Sequence, residues 1–258
     1  MRSGVSTDSH AEDVTFAVVT GTADADYPIS NLADLWEPCV VARVAPDAGT
    51  VVFTGTLAAA QSIQLVALVE HNIPDGASVR IELFSDVLTT GVEDTGAVVI
   101  PDRTDDPQTF PLLLDAATGV RSFRVTIEGL ADDLEIGGVE IAAFWDLPWI
   151  TAGEQAGFRV SGDDLDLVGG AVAGGEGEMP RTRSLQVSYL ELDTSVTTRL
   201  DFQKLKGLAR PFVYIEDYET PGSWPRDCFL ATNTDTPAAA AMLHDRDDFH
   251  AQIEEHRR

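Results

Sequence analysis

The feature that most constrains this chain is a period-two alternation of apolar and polar side chains that recurs along its first 150 residues. Val79, Ile81 and Leu83 alternate with Arg80 and Glu82, and Phe123, Val125 and Ile127 alternate with Arg124, Thr126 and Glu128. Ile63, Leu65, Ala67 and Val69 keep the same spacing, and Val14–Val19 opens the series. Successive side chains of an extended strand point to opposite faces, so this period buries one face and leaves the other in water. The segments are short and separated by Gly, Pro and Asp, which predicts an antiparallel β-sandwich or jelly roll over residues 1–150. Val40–Val44 and Thr50–Thr54 flank Pro46-Asp47-Ala48-Gly49, read as a turn in which Pro presets φ and Asp and Gly tolerate the bend. Glu135–Trp145 reads as the closing strand, with Gly137-Gly138 marking a bulge or a close backbone approach. Pro148 then interrupts the pattern and places a boundary near residue 150.

Residues 151–258 read as a smaller α+β module, so the fold class is mainly β with a mixed second part. The glycine-rich stretch 169–177 is expected to be a loop or arm, because glycine loses more backbone freedom on ordering than any other residue. After it, Leu185, Val187 and Tyr189 share one face of a strand. Ser195 is placed to cap a helix over Val196–Ala209, with Phe202, Leu205 and Ala209 along its buried stripe. Phe212–Ile215 and Cys228–Ala231 are expected strands, residues 238–250 an expected helix, and the last residues an exposed tail.

The charge excludes some partners. There are 43 acidic and 17 basic residues, for a net charge of −26, and Lys204 and Lys206 are the only lysines. Such a surface repels nucleic-acid phosphates and anionic membranes, so no sequence-specific nucleic-acid binding is expected. It suits either solubility or the wall of a channel through which DNA slides. No run of 18 uninterrupted apolar residues occurs, so no membrane insertion is expected. The N-terminal residues lack the apolar core of a secretory signal. Cys39 and Cys228 lie far apart without metal-ligand spacing, and two buried thiols in a reducing compartment are the expected state, with a long-range disulfide as the other arrangement.

Motifs for catalysis are missing. The chain has no GxSxG, HExxH, GxxxxGK[ST] or strand-following GxGxxG. Of five histidines, His244 and His250 are six apart, which puts them on different faces of the expected helix and makes a poor zinc pair. The acidic pairs Asp105-Asp106, Asp132-Asp133, Asp163-Asp164 and Asp247-Asp248 are what a chain this acidic contains by chance, although glycosidases use two carboxylates. No catalytic residue, metal site or cofactor is therefore assigned. A structural calcium is considered at Asp24, Asp26, Asn31 and Asp34, whose hard oxygens suit it but whose spacing lacks the twelve-residue calcium loop. Ser30 and Asn31 equally suit a cap or turn.

Two features suit an external contact. His71-Asn72 ends a strong strand before Ile73-Pro74-Asp75-Gly76, a loop that either meets a partner or simply turns, with Asn tolerating a left-handed bend. Among the aromatics, Tyr27, Trp36, Phe84, Trp145, Trp149 and Trp224 are available to stack on sugar rings. Trp36 and Trp145 suit the core, whereas Trp149 and Trp224 sit beside prolines in loops and suit an exposed contact.

Taken together, Tyr27, Ser30, Asn31 and Leu32, then Leu68, His71, Asn72 and Ile73, then Val79, Arg80 and Ile81, with Ile136-Gly137 in the closing strand, resemble a galactose-binding-like (discoidin-type) jelly roll. More narrowly, they resemble minor tail proteins of long-tailed bacteriophages. That resemblance implies a structural component of a tail tip or baseplate, located in the virion. It implies a homo-oligomer joined to tube, hub or tape-measure neighbours, with a possible host-surface glycan as ligand and no catalytic residues. The alternative it leaves open is a carbohydrate-binding module without catalysis. Trp149, Trp224, His71 and Asn72 are the candidate glycan or partner contacts.

Overall fold

The structure is a computed structural model that describes residues 3–35, 40–100, 109–147, 155–158, 165–167, 171–173, 181–191, 211–215, 228–233, 238–243 and 246–255. The chain divides into two compact units, one built from Met1–Leu147 and Pro211–Leu230, the other from Pro148–Arg210 and Ala231–Arg257. Among the described residues no helix is long and apolar enough to cross a membrane.

The first unit contains β1 (Ser3–Thr7), β2 (Val14–Thr20), β3 (Thr22–Ala23), β4 (Ala42–Ala45), β5 (Thr50–His71), β6 (Ser78–Phe84), β7 (Gly91–Asp94), β8 (Val98–Val99), β9 (Thr109–Glu128) and β10 (Leu134–Leu147). The second unit holds β11 (Gln155–Phe158), β12 (Leu165–Leu167), β13 (Ala171–Ala173) and β14 (Arg181–Glu191). Then β15 (Phe212–Ile215) and the start of β16 (Cys228–Asn233) belong to the first unit, and β17 (Ala238–Leu243) and β18 (Arg246–Glu255) to the second.

The first unit is an antiparallel jelly-roll sandwich whose two sheets share β5 and β9. The first half of β5 pairs with β2 and with Ser122–Glu128 of β9, which in turn pairs with β6. The second half of β5, Leu65–His71, pairs with β10 and with Thr109–Leu113 of β9. Between these halves the register slips repeatedly, from Thr56 to Leu65. Ala58, Ala59, Ala60 and Ser62 are exposed in that stretch, so the burial rhythm lapses where the strand changes sheet. The alternation therefore reads as two strands where the fold has one bent strand. Extra residues that break a ladder bend the strand, and jelly rolls turn their corners this way.

Inward-facing residues of both sheets form one core. Val51, Phe53, Val79, Ile81, Phe123, Val125 and Ile127 of one sheet belong to the same buried cluster as Val66, Leu68, Val139 and Ile141 of the other, where Val66 stands opposite Ile141 and Leu68 opposite Val139. Phe16 packs edge-on against Phe123, with ring centroids 5.9 Å apart, and tilts against Phe53 at 6.3 Å. The ring of Phe123 lies on Gly55, where an added Cβ would sit 2.1 Å from it, so only glycine fits beneath that ring.

β1 extends the sandwich by pairing with the end of β10, Ser3 opposite Leu147 through Thr7 opposite Ala143. On its other side it pairs with β15, Gly4 opposite Ile215 and Val5 opposite Tyr214. A buried polar link crosses this seam. Glu140 of β10 is 0% exposed and accepts hydrogen bonds from Ser6 Oγ (2.8 Å) and Ser9 Oγ (2.6 Å). Ser6 Oγ also accepts the Val213 amide at 2.9 Å, so one hydroxyl joins three strands.

In the second unit, β14 pairs with β11 and β18, β17 pairs with β18, and β12 pairs with β13. The strand at Leu185–Tyr189 lies within β14, as its alternation predicts. The described residues of the expected helix at 238–250 are strands. They form β17 and the first half of β18, joined antiparallel with Ala239 opposite Phe249. Helix propensity of the alanine run is a weak preference that pairing across the sheet overrides. His250 lies in β18, whereas His244 lies outside the described residues. Within the glycine-rich stretch, Ala171–Ala173 is a strand paired with Leu165–Leu167 rather than an open loop. The expected helix at Val196–Ala209 lies outside the described residues.

Two smaller expectations change as well. Register is constant from Ile136 opposite His71 to Ala142 opposite Leu65, so Gly137-Gly138 makes no bulge. Cys228 is fully buried, as a small hydrophobe would be, while Cys39 lies outside the described residues.

Candidate functional site

The two sequence motifs around Tyr27 and His71 meet at the start of β10. Its residue Glu135 is the junction. In register it stands opposite Arg43 of β4 on one side. On the other, its backbone exchanges bonds with Asn72: the Asn72 amide donates to Glu135 O at 3.1 Å, and the Glu135 amide donates to Asn72 Oδ1 at 2.8 Å. Asn72 Nδ2 also donates to Asp133 O at 2.8 Å. His71 is buried at the end of β5, its Nδ1 accepting the Ile73 amide at 3.2 Å and its ring edge-on to Phe110 at 6.4 Å. The polar atoms of Asn72 thus fasten one loop of this end to another. The left-handed residue here is Glu70, with φ 51°, and not Asn72. The Pro-Asp-Gly bend closes with the Ala77 amide donating to Pro74 O at 3.2 Å over Gly76 at φ 80°.

The Tyr27 loop is tied down beside it. Ile29–Ala33 is a short 3-10 helix that buries Leu32. Asn31 does not cap it; its Nδ2 reaches across to Val41 O at 2.8 Å. The Arg43 amide donates to Tyr27 O, and the Asp24 amide to Arg43 O, both at 3.0 Å. These bonds set Tyr27 beside the Arg43 side chain. The guanidinium lies 4.4 Å from the ring centroid of Tyr27. Its Nε and Nη2 donate to Glu135 Oε1 at 2.8 and 2.6 Å, and Nη1 stands 3.8 Å from Asp24 Oδ2. The hydrogen bond to Glu135 pushes the guanidinium's pKa above its ordinary value, against a smaller opposing effect of lost water and with the charges of Glu135 and Asp24 in support.

The result is a preordered patch. Tyr27 stays 37% exposed. One planar cation is stacked on it and two carboxylates flank that cation. An aromatic surface beside fixed donors and acceptors can hold a polar ring by stacking and by bidentate hydrogen bonds. Arg43 and Glu135 were not singled out from the sequence. A usable signal was present, since Arg43 is the only lysine or arginine between Arg2 and Arg80.

A second arrangement lies on the outward face of β6, β7 and β9. Arg80 holds Asp94 with two bonds, Nε to Oδ1 at 2.9 Å and Nη2 to Oδ2 at 2.6 Å. Glu82 lies 3.4 Å from both Arg80 and Arg124. The Arg80 hydrogen bond, helped by the Gly96 amide, holds the Asp94 carboxyl down at about 2. Phe84 is only 7% exposed, so it offers no stacking face.

The other sequence candidates fall elsewhere. Trp149, Trp224 and Trp36 lie outside the described residues. Trp145 is half-buried in β10 rather than in the core. Asp24, Asp26, Asn31 and Asp34 are not gathered around a common point. Asp24 Oδ1 accepts the Asp26 amide at 2.8 Å, and Asn31 is turned to Val41. Among the described residues no group of three or more His, Cys, Asp or Glu side chains could hold a metal ion. Asp132-Asp133 is an exposed turn, and Asp247-Asp248 lies in β18.

No protein-family model matches the chain, and no curated protein matches it in sequence. Solved structures do align. A chitosan-binding module from a chitosanase/glucanase of Paenibacillus sp. IK-5 is 16% identical over 53% of this chain and 99% of its own, with a TM-score of 0.40. The family 32 carbohydrate-binding module of C. perfringens NanJ, in complex with galactose, is 12% identical over 55% of this chain and 99% of its own, with a TM-score of 0.39. A Ruminococcus gnavus GH29 fucosidase is 13% identical over 52% of this chain, which spans only 26% of the fucosidase, with a TM-score of 0.40.

Proposed function

We propose that the first unit is a non-catalytic binding module that holds a saccharide at the Tyr27 end of the sandwich. The observation that carries this reading is the exposed Tyr27 ring with the Arg43 guanidinium stacked 4.4 Å from its centroid and anchored by Glu135. Saccharides present apolar ring faces and a rim of hydroxyls, which match an aromatic surface bordered by a fixed cation and carboxylates. The bonds among Asp24, Arg43, Glu135 and Asn72 hold those groups in place before a ligand arrives, which lowers the ordering cost of binding.

The reading as a virion tail component rests on the sequence resemblance. The residues that carry it are occupied in building the fold: Leu32 and Ile73 are buried, Asn31 and Asn72 tie loops together, and His71 packs on Phe110. They specify a jelly roll as readily as a place in a tail. Oligomerisation, tail-protein partners and a virion location follow from the resemblance only, and a saccharide-binding module needs none of them.

A glycan array followed by titration calorimetry tests the proposal. The intact protein is expected to retain a saccharide, and Tyr27→Ala to weaken it by about tenfold or more, since losing a stacked aromatic costs on the order of 1–3 kcal/mol at an interface. Arg43→Ala is expected to weaken it as well. Unchanged affinity in a folded Tyr27→Ala variant, or no binding to any glycan, would overturn the reading.

A further inference from the structure

The outward face of β6 and β9 carries a trough of about 270 Å³ lined by Ser78, Arg80, Asp94, Thr126 and Glu128, together with Gly96 and Ala97. It shares no residue with the Tyr27 cluster. A second cleft, of about 340 Å³, adjoins it across Asp94. Strand geometry makes the trough. Val79, Ile81, Val125 and Ile127 point into the core, so Ser78, Arg80, Thr126 and Glu128 stand together on the other face. Ser78 is directly opposite Glu128, and Arg80 opposite Thr126.

The charges on this face nearly cancel, and what is left over is specific. Arg80 and Arg124 are matched by Asp94 and Glu82 through the contacts at 2.6 to 3.4 Å. Glu128 makes no ion pair, although its charge acts on Arg80 at longer range. Among the described residues, no hydrogen bond or ion pair involves the side chains of Ser78, Thr126 or Glu128. The lining thus carries one cation and two carboxylates, a net charge of one negative, with two unengaged hydroxyls and the Arg80–Asp94 pair as a wall. An anion would be repelled by Glu128 and by the field of the whole protein at −26. A ligand carrying one ammonium group among several hydroxyls satisfies every group present.

We propose that this trough is a second binding site, selective for a protonated amino sugar whose ammonium pairs with Glu128 and whose hydroxyls meet Ser78 and Thr126. The site stands on its own residues, so its fate does not depend on the Tyr27 reading.

The experiment is titration calorimetry of the full-length protein carrying Tyr27→Ala and Arg43→Ala, which together weaken the first site, against a glucosamine tetramer at low salt and mildly acidic pH. Binding is expected, and Glu128→Gln is expected to weaken it by about tenfold, the usual size of one charge-assisted bond. Thr126→Val should weaken it several-fold. The N-acetylated tetramer has the ring hydroxyls without the charge and should bind about tenfold more weakly, for the same reason. Spermidine, an amine without hydroxyls, should also bind more weakly. The proposal is overturned if the glucosamine tetramer does not bind, if Glu128→Gln binds it equally well, or if spermidine or the N-acetylated tetramer binds as tightly. Glu128 is exposed at a strand end, and thermal melts of each variant confirm that the fold is intact.

Discussion

Ala48 sits with φ at 49°, next to Gly49 at 79°, in a turn where Asp47 and Thr50 exchange two backbone hydrogen bonds of 3.0 Å. Two successive left-handed residues between a bonded pair make a type I′ turn, which favours Asn-Gly. The proline before it sets no part of that geometry, because the central positions are Ala48 and Gly49. Alanine in the left-handed region brings its Cβ close to a carbonyl, at a cost of roughly 1–2 kcal/mol, whereas asparagine tolerates it. Ala48→Asn should therefore raise stability by about 0.5–1 kcal/mol, part of that strain. Urea denaturation reads this as a higher midpoint at unchanged slope. A lower midpoint would mean that the Ala48 side chain has a packing role that the turn geometry does not reveal. Glu70, at φ 51°, carries the same conformation where β5 gives way to His71 and Asn72. There the strain belongs to the loop end that also holds Tyr27.

Strands dock on one another here through single polar links as well as ladders. Ser6 is the clearest case: its hydroxyl donates to Glu140 of β10 and accepts from Val213 of β15, and all three sites are buried. Ser6→Ala would strip both groups of that partner, and an unsatisfied buried group costs about 1–3 kcal/mol. The expected result is a loss of that size together with faster hydrogen exchange at the Val213 amide. Ser9→Ala, at a part-buried bond, should cost less. Equal, small effects from both would sink the idea that Ser6 fastens β15. The same elements show what a sequence reveals and what it hides. Val79–Leu83 and Phe123–Ile127 were legible because each alternates cleanly over one half-buried face. The continuity of β5 was not, because Ala58–Ser62 carries no burial signal and the strand changes sheet there. The alanines of β17 favour a helix locally, and only the partner strand decides against it. At the candidate site, Tyr27 and His71-Asn72 stood out as separate motifs. Arg43 and Glu135 did not, because their bond joins positions 92 residues apart.

At the scale of the whole molecule, charge sets the terms. With 43 acidic and 17 basic residues, at least 26 carboxylates have no cation to match them, since 43 − 17 = 26. Mutual repulsion then opposes the compact state. Local ion pairs work the other way, but Arg43–Glu135 and Arg80–Asp94 lie in contact at 2.6 Å, well inside any Debye length, so salt weakens them less than it weakens repulsion spread over the surface. Raising ionic strength at pH 7 from about 0.01 M to about 0.15 M, which shortens the Debye length from about 30 Å to about 8 Å, should therefore raise the melting temperature. A gain of about 1 kcal/mol corresponds to roughly 2–4 °C in a chain of this size. Acid gives an independent check on the sign. Ordinary carboxylates begin to take up protons near pH 4–5, and repulsion falls with them. Asp94 behaves differently: its carboxyl is lowered from 3.8 to about 2, so the stability it contributes is present above its unfolded value and is lost only as pH falls through about 2. The salt effect on the melting temperature should accordingly shrink between pH 7 and about pH 4, while the Arg80–Asp94 pair persists, as carbon NMR of the Asp94 carboxyl would show. A melting temperature that falls with salt at pH 7 would mean that attraction between charges, and not their repulsion, governs this acidic sandwich.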